Sequence, residues 1–213
     1  MMKIQLLVDN KGSWIIPYAK ELLTKLQQLG HKVSLIHKHD EVESGDILCL
    51  LACEKKFSNL VLNTHNLVVH ESDLPRGKGW SPVTWQILEG KNRIPVTLFE
   101  ATESIDSGVI YDQEYMELTG QELLPEIKHI QGIVTNDLIV RFVNAYPNVS
   151  AREQKGEESF YAKRTAKDSA LDIQKNLAEQ FNMLRVCDNE RYPAYFWINK
   201  KKYIIKIYSE ENE

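Results

Sequence analysis

The sequence predicts an α/β fold: an open, mostly parallel Rossmann-like sheet with helices on both faces, followed by a small C-terminal annex of one helix and a β-hairpin. Short, nearly continuous apolar segments that stop at turn residues are typical of strands buried in parallel sheets. Segments with apolar residues at helical spacing alternate with them, as in βαβ units. The composition becomes polar after Tyr146, which marks the start of the annex.

The first strand is predicted at residues 3–8, because an apolar run there stops at Asp-Asn-Lys-Gly. A helix follows at residues 15–29, where apolar residues recur at helical spacing. Ser81 and Pro82 suit the N-cap and the first position of another helix, which ends at Gly90. The remaining helix of this part is predicted at 121–144, and the remaining strands at 32–37, 47–52, 66–70, 94–99 and 109–115.

The annex is predicted from the polar stretch onward. Its parts are a loop at 147–168, a helix at 170–184, and hairpin strands at 194–198 and 202–208. The chain is therefore divided into a Rossmann-like domain at residues 1–149 and a small subdomain at residues 150–213. The exposed edge of the hairpin predicts pairing with a second copy, that is, a homodimer.

The bulk composition argues against several classes of function. A net charge of −4 and a pI near 5.9 disfavour a nucleic-acid partner, which requires a basic face. No segment approaches the ~20 apolar residues of a membrane-spanning helix, and the first residues do not resemble a signal peptide. We therefore expect a cytoplasmic protein without a membrane partner. The three cysteines, Cys49, Cys53 and Cys187, lack redox or metal-site spacing and are expected to be reduced core thiols.

The first βα turn has the sequence DNKGSW, at residues 9–14. Its single glycine departs from the G-x-G-x-x-G pattern, which argues against a nicotinamide-dependent dehydrogenase. Because the turn follows the C-terminal end of a strand, Asp9, Asn10, Ser13 and Trp14 either contact a ligand or form an ordinary polar turn.

The segment His37-Lys38-His39-Asp40 resembles a metal cluster in composition. It runs directly into the acidic loop at residues 41–46, and a solvated loop is the favoured interpretation. No metal is therefore predicted.

Two polar residues lie where predicted strands meet loops. His70 ends an apolar strand, and Pro75, Gly77 and Gly79 then force a loop. A rigidly held imidazole with open space in front of it suits a general base or a hydrogen-bond donor to developing charge. The alternative is a structural histidine. Asp106 lies in an Asp-Ser-Gly turn just before a strand, a common turn that gains functional weight only together with His70.

The segments HESDLPRGKGWSPVTWQILEG (70–90) and IPVTLFEATESIDSGVI (94–110) resemble the core of the folate-dependent formyltransferases. That family has an Asn-x-His strand end, a Ser-Leu-Leu-Pro-x-x-x-Gly-x-x-Pro loop, a Trp/Ile helix ending in Gly, a Val-Thr strand and an Asp-x-Gly turn. The separation of His70 and Asp106 by 36 residues is like the family's spacing. The matching residues are His70, Ser72, Leu74, Pro75, Gly79, Pro82, Trp85, Ile87, Gly90, Val96, Thr97, Asp106 and Gly108.

Segments 159–172 and 191–208 extend the resemblance over most of the chain, whereas the first 45 residues match only in their βαβ pattern. Within the family, the sequence is similar to the sugar amine formyltransferases, in particular the pseudaminic-acid-pathway formyltransferase and the formylation domain of gramicidin synthetase. The resemblance implies that residues 1–149 are the catalytic domain. It also implies 10-formyltetrahydrofolate as the formyl donor and a nucleotide-linked amino sugar as the acceptor.

The resemblance assigns roles to individual residues. It implies that His70 collects the amine proton or stabilises the developing oxyanion, and that Asp106 orients and charge-pairs the imidazole. The family's third catalytic residue, an asparagine two positions before the histidine, is replaced here by Val68. Asn66, on the same strand face about 7 Å further back, or Asn63 is predicted to supply the amide, unless backbone or water fills the role.

The resemblance also implies a pterin pocket between the loop at residues 100–105, which binds through backbone groups, and the loop at residues 53–57. The predicted cofactor-binding residues are Glu100, Ala101, Thr102, Glu103, Asp106 and Phe57. The predicted substrate-binding residues are Arg76, Lys78, Trp80 and Asn10. Arg76 and Lys78 either bind a diphosphate or are solvated. Trp80 either stacks on the ligand or packs against the loop.

Three other functions stay open. Initiator-tRNA formylation is disfavoured by the acidic composition and the short tail, and a glycinamide ribonucleotide acceptor by the C-terminal extension. A folate- or nucleotide-sugar-binding protein without catalysis is kept open by Val68.

Overall fold

The computed structural model describes residues 1–210, and its centre is a six-stranded sheet. The strands, in chain order, are β1 (Lys3–Leu7), β2 (Lys32–Ile36), β3 (Gly45–Leu50), β4 (Asn63–His70), β5 (Lys78–Gly79), β6 (Arg93–Glu100), β7 (Ile110–Glu117), β8 (Phe160–Tyr161), β9 (Ala194–Ile198) and β10 (Lys201–Ile205). The central sheet has the order β2-β1-β3-β4-β6-β7. Its first four strands run parallel, whereas β6 and β7 each pair antiparallel with the preceding strand. The prediction of an open, mostly parallel sheet is confirmed.

The helices are α1 (Ile16–Gln28), α2 (Pro82–Leu88), α3 (Leu124–Ala145) and α4 (Phe181–Arg185). The first three share one hydrophobic core with the sheet face that carries Ile4 and Leu6 of β1. The next residue, Leu7, points to the other face, because side chains alternate along a strand. That second face is covered by loops and by single 3₁₀ turns at His39–Glu41 and Leu60–Leu62. No helix among the described residues is long and apolar enough to cross a membrane.

Helices α1 and α3 approach closely because a glycine faces an aromatic ring. A Cβ atom built on Gly132 of α3 would lie 2.4 Å from the ring of Tyr18 on α1. Asn136 of α3 also donates from Nδ2 to the carbonyl oxygen of Tyr18 at 3.0 Å. The close contact fixes α1 on the sheet and so places the turn at residues 9–14 at the C-terminal ends of the parallel strands.

The helix predicted at residues 170–184 is wrong for most of its length. Only Phe181–Arg185 is α-helical. The side chains of Asp172 and Asn176 accept hydrogen bonds from backbone N–H groups two and three residues further along the chain. Such local bonds satisfy the backbone without a helix, which is how these residue types compete with helix formation.

Helix α2 begins differently from the prediction. Ser81 makes no side-chain capping bond, and its φ of 51° places it in the left-handed region. Pro82 does occupy the first helical turn, where its missing N–H costs nothing.

The C-terminal segment is joined to the sheet domain at several points. Strand β8 pairs in parallel with β5, which lies in the loop after β4. Arg185 of α4 is fully buried and bonds to Glu122 at 3.3 Å and to Asn92 at 2.6 Å. Strands β9 and β10 form the predicted hairpin. The last three residues of the predicted subdomain at 150–213 lie outside the described residues.

Candidate active site

His70 is held at the C-terminal end of β4 by the loop that follows it. The residue is 7% exposed and lies opposite Thr97 of β6 in the strand ladder. Its Nε2 is 2.8 Å from the carbonyl oxygen of Gly77. Because a carbonyl oxygen only accepts, Nε2 carries the proton of the neutral imidazole. Nδ1 is then the basic nitrogen, and it makes no hydrogen bond to any described residue.

The Asp106 turn meets the same loop from the other side. The carboxylate Oδ2 accepts the N–H of Gly79 at 2.9 Å and lies 3.9 Å from Nε2 of His70. The structure therefore brings together the two residues that the sequence separates by 36 positions. Because 3.9 Å is too long for a hydrogen bond, the two side chains lie close without being bonded, and the Asp106 carboxylate is held by the N–H of Gly79 instead.

Asp106 keeps this position in an uncommon backbone conformation. Its φ is 51°, and a left-handed conformation costs a residue with a side chain about 1–3 kcal/mol. The turn ends at Gly108, where a Cβ atom would lie 1.7 Å from the carbonyl oxygen of Glu100, so only glycine fits. Gln154 donates from Nε2 to the carbonyl oxygens of Asp106 and Gly108, at 3.0 and 2.9 Å.

Of the two alternatives for Lys78, a diphosphate contact or a solvated side chain, the structure contradicts the second. Its side chain is 2% exposed, and Nζ lies 2.5 Å from Oε1 of Glu158 and 2.9 Å from Oγ of Ser107. The ammonium group thus joins the loop after β4 to the Asp106 turn and to the segment before β8. Its charge is already paired inside the protein, so Lys78 does not offer a free cation to a diphosphate.

The other predicted substrate-binding residues lie apart from one another. Arg76 lines a cavity of about 460 Å³ together with Arg152, Lys155 and Ile110, the first residue of β7. Trp80 is 44% exposed on the same loop. Asn10 follows β1, on the opposite side of β4 in the strand order. These residues do not form one compact surface.

Neither candidate for the missing asparagine reaches His70. Nδ2 of Asn66 donates to the carbonyl oxygen of Leu60 at 2.9 Å and lies 3.5 Å from a carboxylate oxygen of Glu100. Asn63 is the first residue of β4, about 23 Å from His70 along the strand, and its Oδ1 accepts a bond from a glutamine of β1. The tentative assignment of Asn66 as a catalytic amide is corrected, because its amide is bound to other groups.

The first predicted pterin wall, residues 100–105, is anchored to β4. The carboxylate of Glu100 accepts the N–H of Asn66 at 2.6 Å and the hydroxyl of Tyr111 at 2.8 Å. The N–H of Ala101 donates to the carbonyl of Asn66 at 2.7 Å. Thr102 bonds within the loop itself. The Glu100 carboxylate is therefore already hydrogen-bonded within the protein. A ligand at this wall would bind backbone groups after Ala101.

The second predicted wall faces the first. Lys56 donates from Nζ to the carbonyl oxygen of Glu103 at 2.5 Å, so one lysine side chain spans the gap between the two loops. Phe57 is 5% exposed and packs into the apolar layer on the second face of the sheet. Its ring belongs to the apolar cluster against which Ala101 of the first wall packs.

Asp9 ties the second wall to the first βα turn. Its carboxylate accepts the backbone N–H groups of Glu54 and Lys55, each at 2.9 Å. Asn10 donates from Nδ2 to the Glu54 carboxylate at 2.7 Å. Nε2 of His39 lies 3.4 Å from Oδ2 of Asp9 without forming a hydrogen bond. Among the described residues, no group of three or more His, Cys, Asp or Glu side chains is arranged to hold a metal ion.

A chain of hydrogen-bonded side chains begins at Glu71, the residue after His70, and continues onto α3. Glu71 accepts a bond from the Gln131 amide, whose Oε1 in turn accepts from Nζ of Lys128 at 2.9 Å. Burial lowers the pKa of Lys128 to about 8. The ammonium lies 4.1 Å from the centroid of the Trp14 ring, in the turn for which the sequence leaves open both a ligand contact and an ordinary polar turn.

The cysteines do not take part in this arrangement. Cys49 and Cys187 are buried and Cys53 is partly buried. Burial raises the pKa of both Cys49 and Cys53 to about 12, so they remain neutral thiols near neutral pH.

Sequence reasoning missed Gln154, Glu158 and Lys128. The first two lie in a polar segment without periodicity, 84 and 88 residues after His70. Lys128 looks like an ordinary solvated residue of an amphipathic helix. Only the three-dimensional structure shows that these side chains contact the candidate site.

Comparison with known proteins places this site in a formyltransferase-like fold. No protein-family model matches the sequence. The chain is 29% identical over 139 residues to the methionyl-tRNA formyltransferase of Malacoplasma penetrans, which covers 63% of this chain and 43% of the relative. The chain spans about half the length of the curated relatives it matches.

Solved structures extend the similarity over the whole chain. Methionyl-tRNA formyltransferase from Clostridium thermocellum superposes with a TM-score of 0.82 at 20% identity, covering 99% of this chain and 94% of that chain. A sugar N-formyltransferase from Shewanella sp. gives 0.66 at 16%, covering 100% of each. HypX from Aquifex aeolicus, in complex with tetrahydrofolic acid, gives 0.77 at 17%, covering 97% and 37%. The fold is that of the formyltransferases, and the sequence similarity supports the folate-dependent formyltransferase family.

Proposed function

We propose that this protein transfers the formyl group of 10-formyltetrahydrofolate to the amine of a nucleotide-linked amino sugar, of the pseudaminic acid type. The observation that carries the proposal is the pairing of His70 and Asp106 on one loop at the C-terminal end of β4. His70 is held through Nε2, while Nδ1 makes no hydrogen bond to a described residue. That arrangement suits a general base for a neutral amine.

The reaction is a direct acyl transfer. The amine nitrogen of the acceptor forms a bond to the formyl carbon, and the amine proton passes to Nδ1 of His70. The imidazolium that results carries its second proton on Nε2, where the Gly77 carbonyl oxygen at 2.8 Å and the Asp106 carboxylate at 3.9 Å stabilise the positive charge. The bond between the formyl carbon and N10 of the folate then breaks, and N10 leaves with a proton returned by His70.

The folate would enter between the loops at residues 53–57 and 100–105. The carbonyl oxygen of Glu103 faces this gap and would accept a bond from a pterin N–H or amino group. Lys56 holds that carbonyl in the structure, but its side chain is exposed and moves at little cost. The folate tail carries carboxylates, and Lys55 and Lys56 at the rim would attract them.

The acceptor would approach from the side of the first βα turn. Asn10 and Trp14 border this side, and Lys128 places a cation beside the Trp14 ring. An aromatic face next to a cation suits a nucleotide, whose base stacks and whose phosphates are anionic. Arg76 and Trp80 lie across β4 and would contact only a distal part of the acceptor.

The proposal is tested by incubating the purified protein with 10-formyltetrahydrofolate and a panel of nucleotide-linked amino sugars. Release of tetrahydrofolate is measured, and the product is checked by mass spectrometry for the added formyl group. We expect one sugar nucleotide to support turnover, and its N-acetylated counterpart to support none because its nitrogen is no longer nucleophilic. Binding of folate without turnover on any acceptor would contradict the proposal and favour a non-catalytic binding protein, the alternative that Val68 motivates.

Methionyl-tRNA is the second candidate acceptor, because the curated relative reported above is named for that reaction. The net charge of −4 weighs against it. Charged initiator tRNA is therefore included in the same assay. Turnover with the charged tRNA and with no sugar nucleotide would show that methionyl-tRNA is the acceptor.

We also propose that the protein is a cytoplasmic homodimer. The β9–β10 hairpin exposes Trp197, Tyr203 and Ile204, and the outer edge of β10 is unpaired among the described residues. Light scattering of the protein and of an Ile204→Lys variant tests the dimer. We expect the variant to dissociate, and a monomeric parent protein would contradict this assignment.

A further inference from the structure

Gln154, in the segment after α3, spans the turn that carries Asp106. Its Nε2 donates to the carbonyl oxygens of Asp106 and Gly108 at 3.0 and 2.9 Å. These two carbonyls lie on either side of the turn, so one amide group fixes both of its ends. Gln154 lies outside the segments in which the formyltransferase resemblance places catalytic residues.

The turn requires such a restraint because of its backbone. Asp106 has a φ of 51°, a conformation that residues with a side chain adopt only where the surrounding structure enforces it. The close approach of Gly108 to the Glu100 carbonyl oxygen limits the turn on one side. The two bonds from Gln154 limit it on the other side.

The same segment also holds the opposite half of the site. Oγ of Ser159 accepts the N–H of Gly77 at 2.9 Å, and Gly77 is the residue whose carbonyl binds His70. The carbonyl of Ser159 accepts the N–H of Lys78 at 2.9 Å. Residues 154–159 therefore contact both the loop that holds His70 and the turn that holds Asp106.

We propose that Gln154 is a positioning residue for the formyl transfer, which keeps the Asp106 carboxylate on the N–H of Gly79 and beside His70. Its effect on rate rests on the proposed function, whereas its effect on the Asp106 turn does not. A rate effect follows because a misplacement of about 1 Å can lower turnover by up to about 10²-fold.

The test uses Gln154→Met, which keeps the length of the side chain and removes both N–H donors. The control is Gln174→Met, at an exposed position whose side chain makes no hydrogen bond to a described residue. Hydrogen exchange of the Gly79 amide reports the bond to Asp106, and steady-state kinetics report turnover. We expect Gly79 to exchange at least about tenfold faster and kcat to fall about tenfold, with KM for the formyl donor within about twofold of the parent value. The control variant changes neither.

Unchanged exchange at Gly79 in Gln154→Met would overturn the proposal, and so would faster exchange with unchanged kcat. A parent protein that turns over no acceptor refutes the proposed function alone, because exchange at Gly79 still decides whether Gln154 holds the turn. If Gln154→Met does not fold, Gln154→Glu replaces it. That side chain has the same shape and sets a carboxylate against the two carbonyl oxygens, so the same changes are expected.

Discussion

His65 and His70 lie five residues apart on β4 and face opposite sides of the sheet. Each has a carboxylate nearby: Glu100 is 3.2 Å from His65, and Asp106 is 3.9 Å from His70. The rings of Tyr111, Phe142 and Tyr146 pack edge-on against the ring of His65, although its side chain, at 18%, is more exposed than that of His70, at 9%. Each ring has one nitrogen without a hydrogen bond to a described residue, Nε2 in His65 and Nδ1 in His70.

The difference shows what separates a structural histidine from a catalytic candidate. The Glu100 carboxylate is saturated by bonds from Asn66 and Tyr111, and burial together with that carboxylate raises the pKa of Tyr111, which keeps its hydroxyl a donor. Nδ1 of His65 lies within hydrogen-bond distance of the Glu100 carboxylate and the Tyr111 hydroxyl, which are bonded to each other. Both histidines use one ring nitrogen to hold their place, and they differ in position. His70 ends β4 beside a glycine-rich loop, where open α/β sheets bind ligands, whereas His65 lies within the strand among aromatic rings.

Replacing His70 with alanine is expected to have the largest effect on turnover. We expect turnover to fall at least about a hundredfold, the contribution of a positioned general base. Thermal unfolding should change little, because only the bond to the Gly77 carbonyl is lost. The measurements are tetrahydrofolate release and the midpoint of unfolding, and full activity in this variant would remove His70 from the mechanism.

Asp106→Ala is expected to lower turnover by a similar factor, at least about a hundredfold, because both the charge beside His70 and the bond to Gly79 are lost. Asp106→Asn serves as the matched variant, since it keeps an oxygen for the Gly79 N–H and removes the charge. We expect the asparagine variant to lie between the alanine variant and the parent in kcat. Equal loss in both variants would mean that charge, and not the hold on the loop, accounts for the role of Asp106.

Lys78→Met is expected to lower turnover only several-fold, on the scale of a single hydrogen bond in the site. The methionine fills the buried channel, and Glu158, whose side chain is 55% exposed, is left to water. Changing the other partner of the pair, Glu158→Ala, removes the acid beside a buried ammonium group and is expected to lower the free energy of unfolding by about 3 kcal/mol. Urea unfolding of both variants tests this asymmetry, and equal destabilisation by the two changes would contradict it.

His65→Ala is expected to have the smallest effect on turnover, within about twofold of the parent, and to lower the free energy of unfolding by about 2 kcal/mol. The loss follows from the cavity among the three rings and from the Glu100 carboxylate that loses a neighbour. Urea unfolding and the tetrahydrofolate assay measure the two effects. A hundredfold loss of turnover would show that the two histidines do not differ as described.

The strand ends and the residues on them could be predicted from local patterns. His70 follows an apolar run and precedes several glycines, and Asp106 lies in a short turn, so each is recognisable within about ten residues of sequence. The antiparallel direction of β6 and β7 was not predictable in the same way, because strand direction depends on connections and not on composition.

The supports of the site were not predictable because their partners are far apart in the chain. Lys78 looks like a solvated loop residue until Glu158, 80 residues later, is placed beside it. Gln154 lies in a polar stretch that predicts only a loop. The amide of Asn66, proposed from its position on the strand, is bound to the carbonyl oxygen of Leu60, a contact that alternation along β4 does not reveal.

The central claim is that His70 presents an unprotonated Nδ1 to the reactants because Nε2 is held by the Gly77 carbonyl and the Asp106 charge. ¹⁵N NMR of histidine-labelled protein, with His70 assigned by comparison with the His70→Ala variant, measures which ring nitrogen carries the proton in the neutral form. The account predicts the proton on Nε2 and a bare Nδ1. A neutral His70 with its proton on Nδ1 would contradict the account.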